Sequence, residues 1–320
     1  MVIDVVGAGS LGLLYGGKLQ AAGYPVRFWT RTSEQAEKLR MYGLDIMEQG
    51  AKVKLLPEYI QAYPISELSA RWHHQPGDWL LLMVKQTSID EVLHIMKTMK
   101  NHLINIACFQ NGMGHIEKIH AAMPLSHLYR AVTTEGAKRV ENGVVRAGEG
   151  ETWIGRGVHS TALQEGTKGN LEDISLEVLL QQAGFNCTVS NQIDKLIYRK
   201  LLINAVINPL TAIWRITNGE LLQNEQRITV MRQLYDEAAA IYKANEIILD
   251  FNMWEEVLSV CRSTATNTSS MLADVMHGRR TEVESISGHI VSMAQRTGLT
   301  APLHETMLHL IEGIRPEGVS

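Results

Sequence analysis

Lys200, Asn204 and Asn208 recur every four residues within Arg199 to Leu210, and only apolar residues lie between them. On a helix this spacing aligns one cation and two carboxamides on a single stripe that drifts by only about 40° per step. An ammonium can neutralise charge developing on an oxygen and return a proton to it, while carboxamides orient a polar partner by hydrogen bonds. The same pattern also suits a lysine that snorkels to solvent and asparagines that cap or break the helix near Pro209. The elements that would position the stripe decide between the two readings.

The chain opens on strand, glycine turn and helix in the order a dinucleotide-binding unit requires. Val2 to Val6 is a short β-prone run, followed by Gly7, Ala8, Gly9, Ser10, Leu11 and Gly12, and then by a helical pattern through Leu13, Leu14, Leu19 and Ala22. Gly7 permits the tight turn, Gly9 lets the backbone approach a pyrophosphate, and Gly12 lets helix and strand pack closely. Free N–H groups at the helix start face the anion. The second strand is expected over Tyr24 to Trp29, and its end is where the ribose 2′ position is read. Thr30-Arg31-Thr32 stands there, and the first acid comes only at Glu34. A guanidinium suits a 2′-phosphate that an acid would repel, so Arg31 favours NADP(H) over NAD(H).

Composition fits a two-domain enzyme. With 320 residues, of which 45% are hydrophobic, the chain can fill more than one core. A formal net charge of −4, with no basic block, argues against nucleic acid as a partner. No apolar run is expected to approach the length of a membrane span, and Val2 begins the first strand without a leader, so the expected location is cytoplasmic. Cys108, Cys187 and Cys261 are scattered and odd in number, as reduced structural thiols are. The histidines, including His73 and His74, lack metal-ligand spacing, and no metal is assigned.

Strand-like and helix-like segments alternate up to about residue 190. Trp79 to Val84 and Leu103 to Phe109 read as buried parallel strands, and Gly143 to Gly155 as antiparallel hairpin material. From Asn191 the pattern turns helical, over Asp194 to Ile213, Glu225 to Ala244, Trp254 to Cys261, Glu282 to Arg296 and Leu303 to Ile314. The fold class is therefore α/β: an N-terminal Rossmann-type dinucleotide-binding domain over 1–190 and a C-terminal all-helical domain over 191–320. Only the tail from Arg315 is expected to be loose. A homodimer through the helical half is as consistent with the sequence as a monomer.

Further candidates follow from strand ends. Lys85 comes after the strand ending at Val84, and Asn111 lies in Gln110-Asn111-Gly112-Met113-Gly114 after the strand ending at Phe109. Such carboxyl ends line the ligand crevice of open α/β sheets, although Asn-Gly is also an ordinary turn signal. In the second half, Asn267 to Asp274 is a run of small hydrogen-bonding residues with a capping signature, and Arg280-Thr281-Glu282 follows.

Taken together, these motifs resemble the ketopantoate reductase (2-dehydropantoate 2-reductase) family over the whole chain. The likeness rests on Gly7 to Gly12, Lys85, Gln110 to Gly114, Lys200 to Ile213, Asn218-Gly219-Glu220-Leu221, Asn267 to Leu272 and Thr281-Glu282. The resemblance implies that Lys200 is the general acid and that Glu282 holds substrate and supports catalysis. It implies substrate contacts from Asn204, Asn208 and Ser270, and a role for Asn111 in organising both cofactor and substrate. Arg31 matches the family's cofactor arginine. The implied reaction is NADPH-dependent reduction of ketopantoate to pantoate in pantothenate and coenzyme A biosynthesis, with the small-molecule substrate as partner. One departure stands in the glycine-rich hairpin, where Arg146-Ala147-Gly148 replaces a segment that often carries histidine. Two alternatives remain open from sequence: a reductase of a different 2-keto acid, and an NADP-binding sensor without chemistry.

Overall fold

A computed structural model describes residues 1–156 and 175–314. The segment from Arg315, expected to be loose, lies outside the described residues. The chain divides into two compact units, one of 1–110 with 115–193 and the other of 111–114 with 194–320.

The first unit alternates strands and helices: β1 (Ile3–Val6), α1 (Ser10–Ala21), β2 (Val26–Thr30), α2 (Ser33–Tyr42), β3 (Leu44–Glu48), β4 (Ala51–Leu55), β5 (Gln61–Pro64), α3 (Leu68–His74) and β6 (Trp79–Leu82). It continues through α4 (Ile89–Met96), β7 (Asn105–Cys108), α5 (His115–Ala122), β8 (His127–Thr133), β9 (Gly136–Val140), β10 (Gly143–Gly148), β11 (Glu151–Arg156), α6 (Leu176–Gln182) and β12 (Asn186–Val189). Eight strands form one sheet in the order β12-β11-β8-β7-β6-β1-β2-β5. Strand β1 pairs in parallel with both β2 and β6, so the winding reverses there and a crevice opens at its carboxyl end.

The apolar runs of these strands are continuous because both sheet faces are covered. Val5, Leu81 and Ala107 feed one core, with Leu13, Leu14 and Leu19 of α1. Their chain neighbours Val6, Leu80, Leu82, Ile106 and Cys108 feed the opposite core, with α3, α4 and α5. Asp4 is the polar exception within β1. It is fully buried and accepts from Arg27 Nε (2.8 Å), Arg27 Nη2 (2.7 Å) and Trp29 Nε1 (2.7 Å), which keeps an otherwise costly carboxylate satisfied.

The glycine-rich stretch departs from its expected form. β10 and β11 both pair antiparallel, but not with each other: β10 pairs with β9 in a second, four-stranded sheet of order β4-β3-β10-β9, whereas β11 pairs with β8 in the main sheet. The turn between them hands the chain from one sheet to the other. Arg146 of β10 is buried, donates to Glu135 (2.8 Å from Nε) and pairs with Glu48, so this residue of the glycine-rich stretch belongs to an internal ion-pair network.

The second unit is helical: α7 (Ile193–Trp214), α8 (Glu225–Ala244), α9 (Met253–Ser263), α10 (Ser270–Met276), a π turn (Glu284–Gly288) running into α11 (His289–Arg296), and α12 (Pro302–Gly313). Contrary to the expectation that no apolar run reaches spanning length, α7 is long and apolar enough to cross a membrane. Yet 61% of its most apolar stretch is buried inside the protein, which is the environment of a core helix. Its Leu201, Leu202, Ala205, Val206 and Leu210 pack with α8, α9 and α11. Pro209 is inside α7 without ending it. Glu237 of α8 accepts from the backbone N–H groups of Leu303 (3.0 Å) and His304 (2.9 Å) and from His304 Nδ1 (2.8 Å). A remote carboxylate thus caps the first turn of α12.

Candidate active site

In the first unit, a glycine cradle lies at the carboxyl end of β1. Gly7 has φ +107°, a left-handed value that side chains resist, and its N–H donates to Trp29 O at 2.9 Å. A Cβ on Gly12 would lie 1.9 Å from Gly7 O, so helix and strand approach as closely as the sequence spacing predicts. A Cβ on Gly9 would meet nothing within 4 Å, and Gly9 caps α1 without any side-chain acceptor for its first N–H groups. No acidic residue occupies the first turn of α1. An open, donor-rich, uncharged helix start fits the pyrophosphate of a dinucleotide. Ala8 is buried and its carbonyl accepts from Gln35 Nε2 at 2.6 Å, which ties the loop to α2; Ser10 and Leu11 begin α1 half-buried.

Arg31 is exposed directly after β2, beside Thr32, whose hydroxyl caps α2 through Gln35 N at 3.2 Å. Glu34, the nearest acid, is paired with Lys38 at 2.7 Å. Lys85 is half-buried after β6 and precedes a short helical turn at Gln86–Ser88. Gln110 fixes the end of β7, donating to Leu82 O (2.9 Å) and Val84 O (3.0 Å).

In the second unit, Lys200, Asn204 and Asn208 lie along α7 as their spacing requires, Lys200 and Asn204 half-buried and Asn208 6% exposed. Burial draws the Lys200 ammonium down from its ordinary value to about 8, while the neighbouring Glu282 carboxylate pulls it back up. The sequence alone left open which effect dominates; desolvation does. Glu282 is itself 8% exposed and accepts from Asn111 Nδ2 at 3.2 Å. Asn111 belongs to the second unit although a strand of the first leads into it.

Ser270, exposed, is the first residue of α10, and its neighbour Ser269 does the structural work there. Ser269 Oγ accepts from Leu272 N (3.1 Å) and meets Thr211 Oγ1 (2.7 Å) in the core, fastening the start of α10 to α7 one turn beyond Asn208. Ser269 was legible as a cap in the Asn267 to Asp274 run, but its partner Thr211 had no local signal. The second unit therefore gathers Lys200, Glu282 and Asn111, and ties the α7 stripe to the segment carrying Ser270. Gly7 to Gly12, Arg31 and Lys85 belong to the first unit.

A doubly wound sheet with a glycine cradle at its switch point, joined to a helical unit with a partly desolvated lysine beside a carboxylate, defines a nicotinamide-dinucleotide oxidoreductase. The chain belongs to the ketopantoate reductase PanE/ApbA family. The family's description, Ketopantoate reductase PanE/ApbA, matches residues 3–158, and its C-terminal counterpart matches residues 192–315. A 2-dehydropantoate 2-reductase of Archaeoglobus fulgidus is 32% identical over 98% of this chain and 97% of its own length. The crystal structure of a PanE/ApbA family ketopantoate reductase from Ralstonia eutropha JMP134 superposes with a TM-score of 0.84 at 22% identity, covering 98% of each chain. D-mandelate dehydrogenase, solved with NADH and anilino(oxo)acetate, gives the same TM-score of 0.84 at 23% identity over 98% of each chain. At those identities the two structures share the fold alone.

Proposed function

We propose that this protein reduces 2-dehydropantoate (ketopantoate) to pantoate with NADPH, in the route to pantothenate and coenzyme A, and that Lys200 is the proton donor. The observation that carries the reading is Lys200 itself: an ammonium drawn to about 8 by burial, on the same helical stripe as two carboxamides and beside Glu282. The full-length likeness to 2-dehydropantoate 2-reductases supports the substrate.

The glycine cradle, with Arg31 and Lys85, would hold the dinucleotide; a bound nicotinamide supplies the hydride. Addition at the C2 carbonyl leaves negative charge on oxygen, and Lys200 stabilises that charge and delivers its proton there. A donor titrating near 8 is still protonated at neutral pH, yet gives up its proton far more readily than an ordinary lysine. Asn204, Asn208 and Ser270 orient the substrate's carboxylate and hydroxyl groups, with the rate benefit of alignment. Glu282 keeps the ammonium charged and helps to hold the substrate, and Asn111 steadies Glu282. NADPH is favoured over NADH because Arg31 is exposed where a 2′-phosphate is read and the nearest acid is engaged by Lys38.

The test is NADPH oxidation with ketopantoate and with smaller or aromatic 2-keto acids, repeated with NADH and with Lys200→Ala. The proposal expects turnover confined to ketopantoate and NADPH and lost in the variant. Preference for another keto acid, as the shared fold of D-mandelate dehydrogenase allows, would replace the substrate and keep Lys200. No turnover with any of them would leave a nucleotide sensor.

A further inference from the structure

The π turn at Glu284–Gly288 begins two residues after Glu282, and it meets the Asn111–Gly114 segment of the same unit. A π turn inserts one residue into a helix and takes backbone carbonyls out of the regular i to i+4 pattern, and such turns recur at functional sites. Here Ser285 O accepts from Met113 N at 3.4 Å, and Ser285 Oγ donates back to Glu282 O at 3.0 Å. Gly112 presses on the same carbonyl: it has φ +79°, and a Cβ there would lie 2.3 Å from Ser285 O. One residue earlier, Asn111 Nδ2 donates to Glu282 Oε2 at 3.2 Å. Two separate links therefore join the same four-residue segment to Glu282 and the turn behind it.

We propose that Gly112 and the π turn form a latch that positions Asn111 against Glu282 and so fixes the direction and charge of that carboxylate. Gly112 and Ser285 are positioning residues; neither is asked to touch substrate. The consequence for catalysis rests on the reading of Glu282 as part of the substrate site, whereas the latch itself is a property of the protein alone. A donor held on a carboxylate favours its ionised form, as does the Lys200 ammonium that faces Glu282 and is kept in every variant, so releasing the latch raises the pH at which Glu282 titrates.

Gly114 provides the control. It lies in the same segment with a comparable φ of +93°, but a Cβ there meets nothing within 4 Å. Gly114→Ala carries the backbone strain without the collision, and Gly112→Ala carries both. The experiment is a carbon-13 NMR titration of the Glu282 side chain, assigned by its loss in Glu282→Gln, in the wild-type protein, Gly112→Ala, Gly114→Ala and Asn111→Ala. The latch predicts that Gly112→Ala and Asn111→Ala raise the midpoint alike, by roughly one pH unit, and that Gly114→Ala leaves it in place. It also predicts about a tenfold rise in KM for ketopantoate in Gly112→Ala. An unmoved midpoint in Gly112→Ala would overturn the latch even if Asn111→Ala shifts it, as would a Gly114→Ala shift equal to that of Gly112→Ala. If Gly112→Ala does not fold, Ser285→Ala, which removes the Oγ bond to Glu282 O and keeps Asn111, takes its place, and an unmoved midpoint there overturns the latch. A wild-type protein that leaves ketopantoate untouched would remove the proposed reaction, while the titration still decides the latch.

Discussion

The glycine cradle of the first unit and the α7 stripe of the second are built from different materials. The cradle is backbone: Gly7, Gly9 and Gly12 act by what they lack, leaving room and bare N–H groups at the start of α1. The stripe is side chain: Lys200, the proposed acid, would act through its charge, which depends on the burial that draws it down and on the Glu282 carboxylate beside the stripe. A backbone site recognises a constant part of its ligand and is encoded by local spacing. A side-chain site is tuned by tertiary packing, and burial is what draws Lys200 down from its ordinary value.

The sharpest way to break this contrast is to remove one charge from the stripe. Lys200→Ala should lower kcat by about 10³-fold while leaving dinucleotide affinity intact, as measured by steady-state rates beside fluorescence titration of NADPH. The converse change belongs to the cradle. Gly12→Ala, whose Cβ would collide with Gly7 O at 1.9 Å, should weaken NADPH binding roughly thirtyfold with a smaller effect on kcat. Equal damage to binding and turnover from both variants would erase the distinction.

The scaffold of the second unit gives an intermediate effect. Glu237→Ala should destabilise the protein by about 2 kcal/mol in thermal or urea unfolding, because it uncaps α12 and strips His304 of its partner. Burial alone would raise the Glu237 pKa, but donation from His304 and from the Leu303 and His304 backbones outweighs it and holds the carboxyl below its ordinary 4.5. The contribution is therefore present above about pH 4.5 and is lost as the pH falls through the depressed folded value. The smallest effect is expected at the exposed Arg31. Arg31→Ala should raise the Kd for NADPH about fivefold and leave that for NADH unchanged, since an exposed cation is well screened.

Much of this was legible in the sequence because it is local. The β1, turn and α1 order, the α7 stripe and the full span of α8 follow from short-range spacing, and the stripe survives Pro209 because α7 is packed on many sides. What was not legible depends on distant partners. β10 and β11 both carry strand propensity, but their assignment to different sheets is set by β9 and β8. The spanning length of α7 was masked by the polar residues of its stripe. The Thr211–Ser269 bond joins positions 58 apart, and the Asn111–Glu282 bond positions 171 apart. No window of sequence contains such pairs, and nothing in Glu284 to Gly288 marks a π turn in advance.

The central claim is that a desolvated Lys200 is the proton donor, and the pH dependence of kcat in both directions tests it most directly. With Lys200 at about 8, ketopantoate reduction should hold steady at lower pH and fall about tenfold per unit above that value, as the ammonium is lost. Pantoate oxidation, which needs the neutral amine as base, should rise through the same pH. Reduction that stays flat up to about pH 10, where an ordinary lysine titrates, would contradict the assignment.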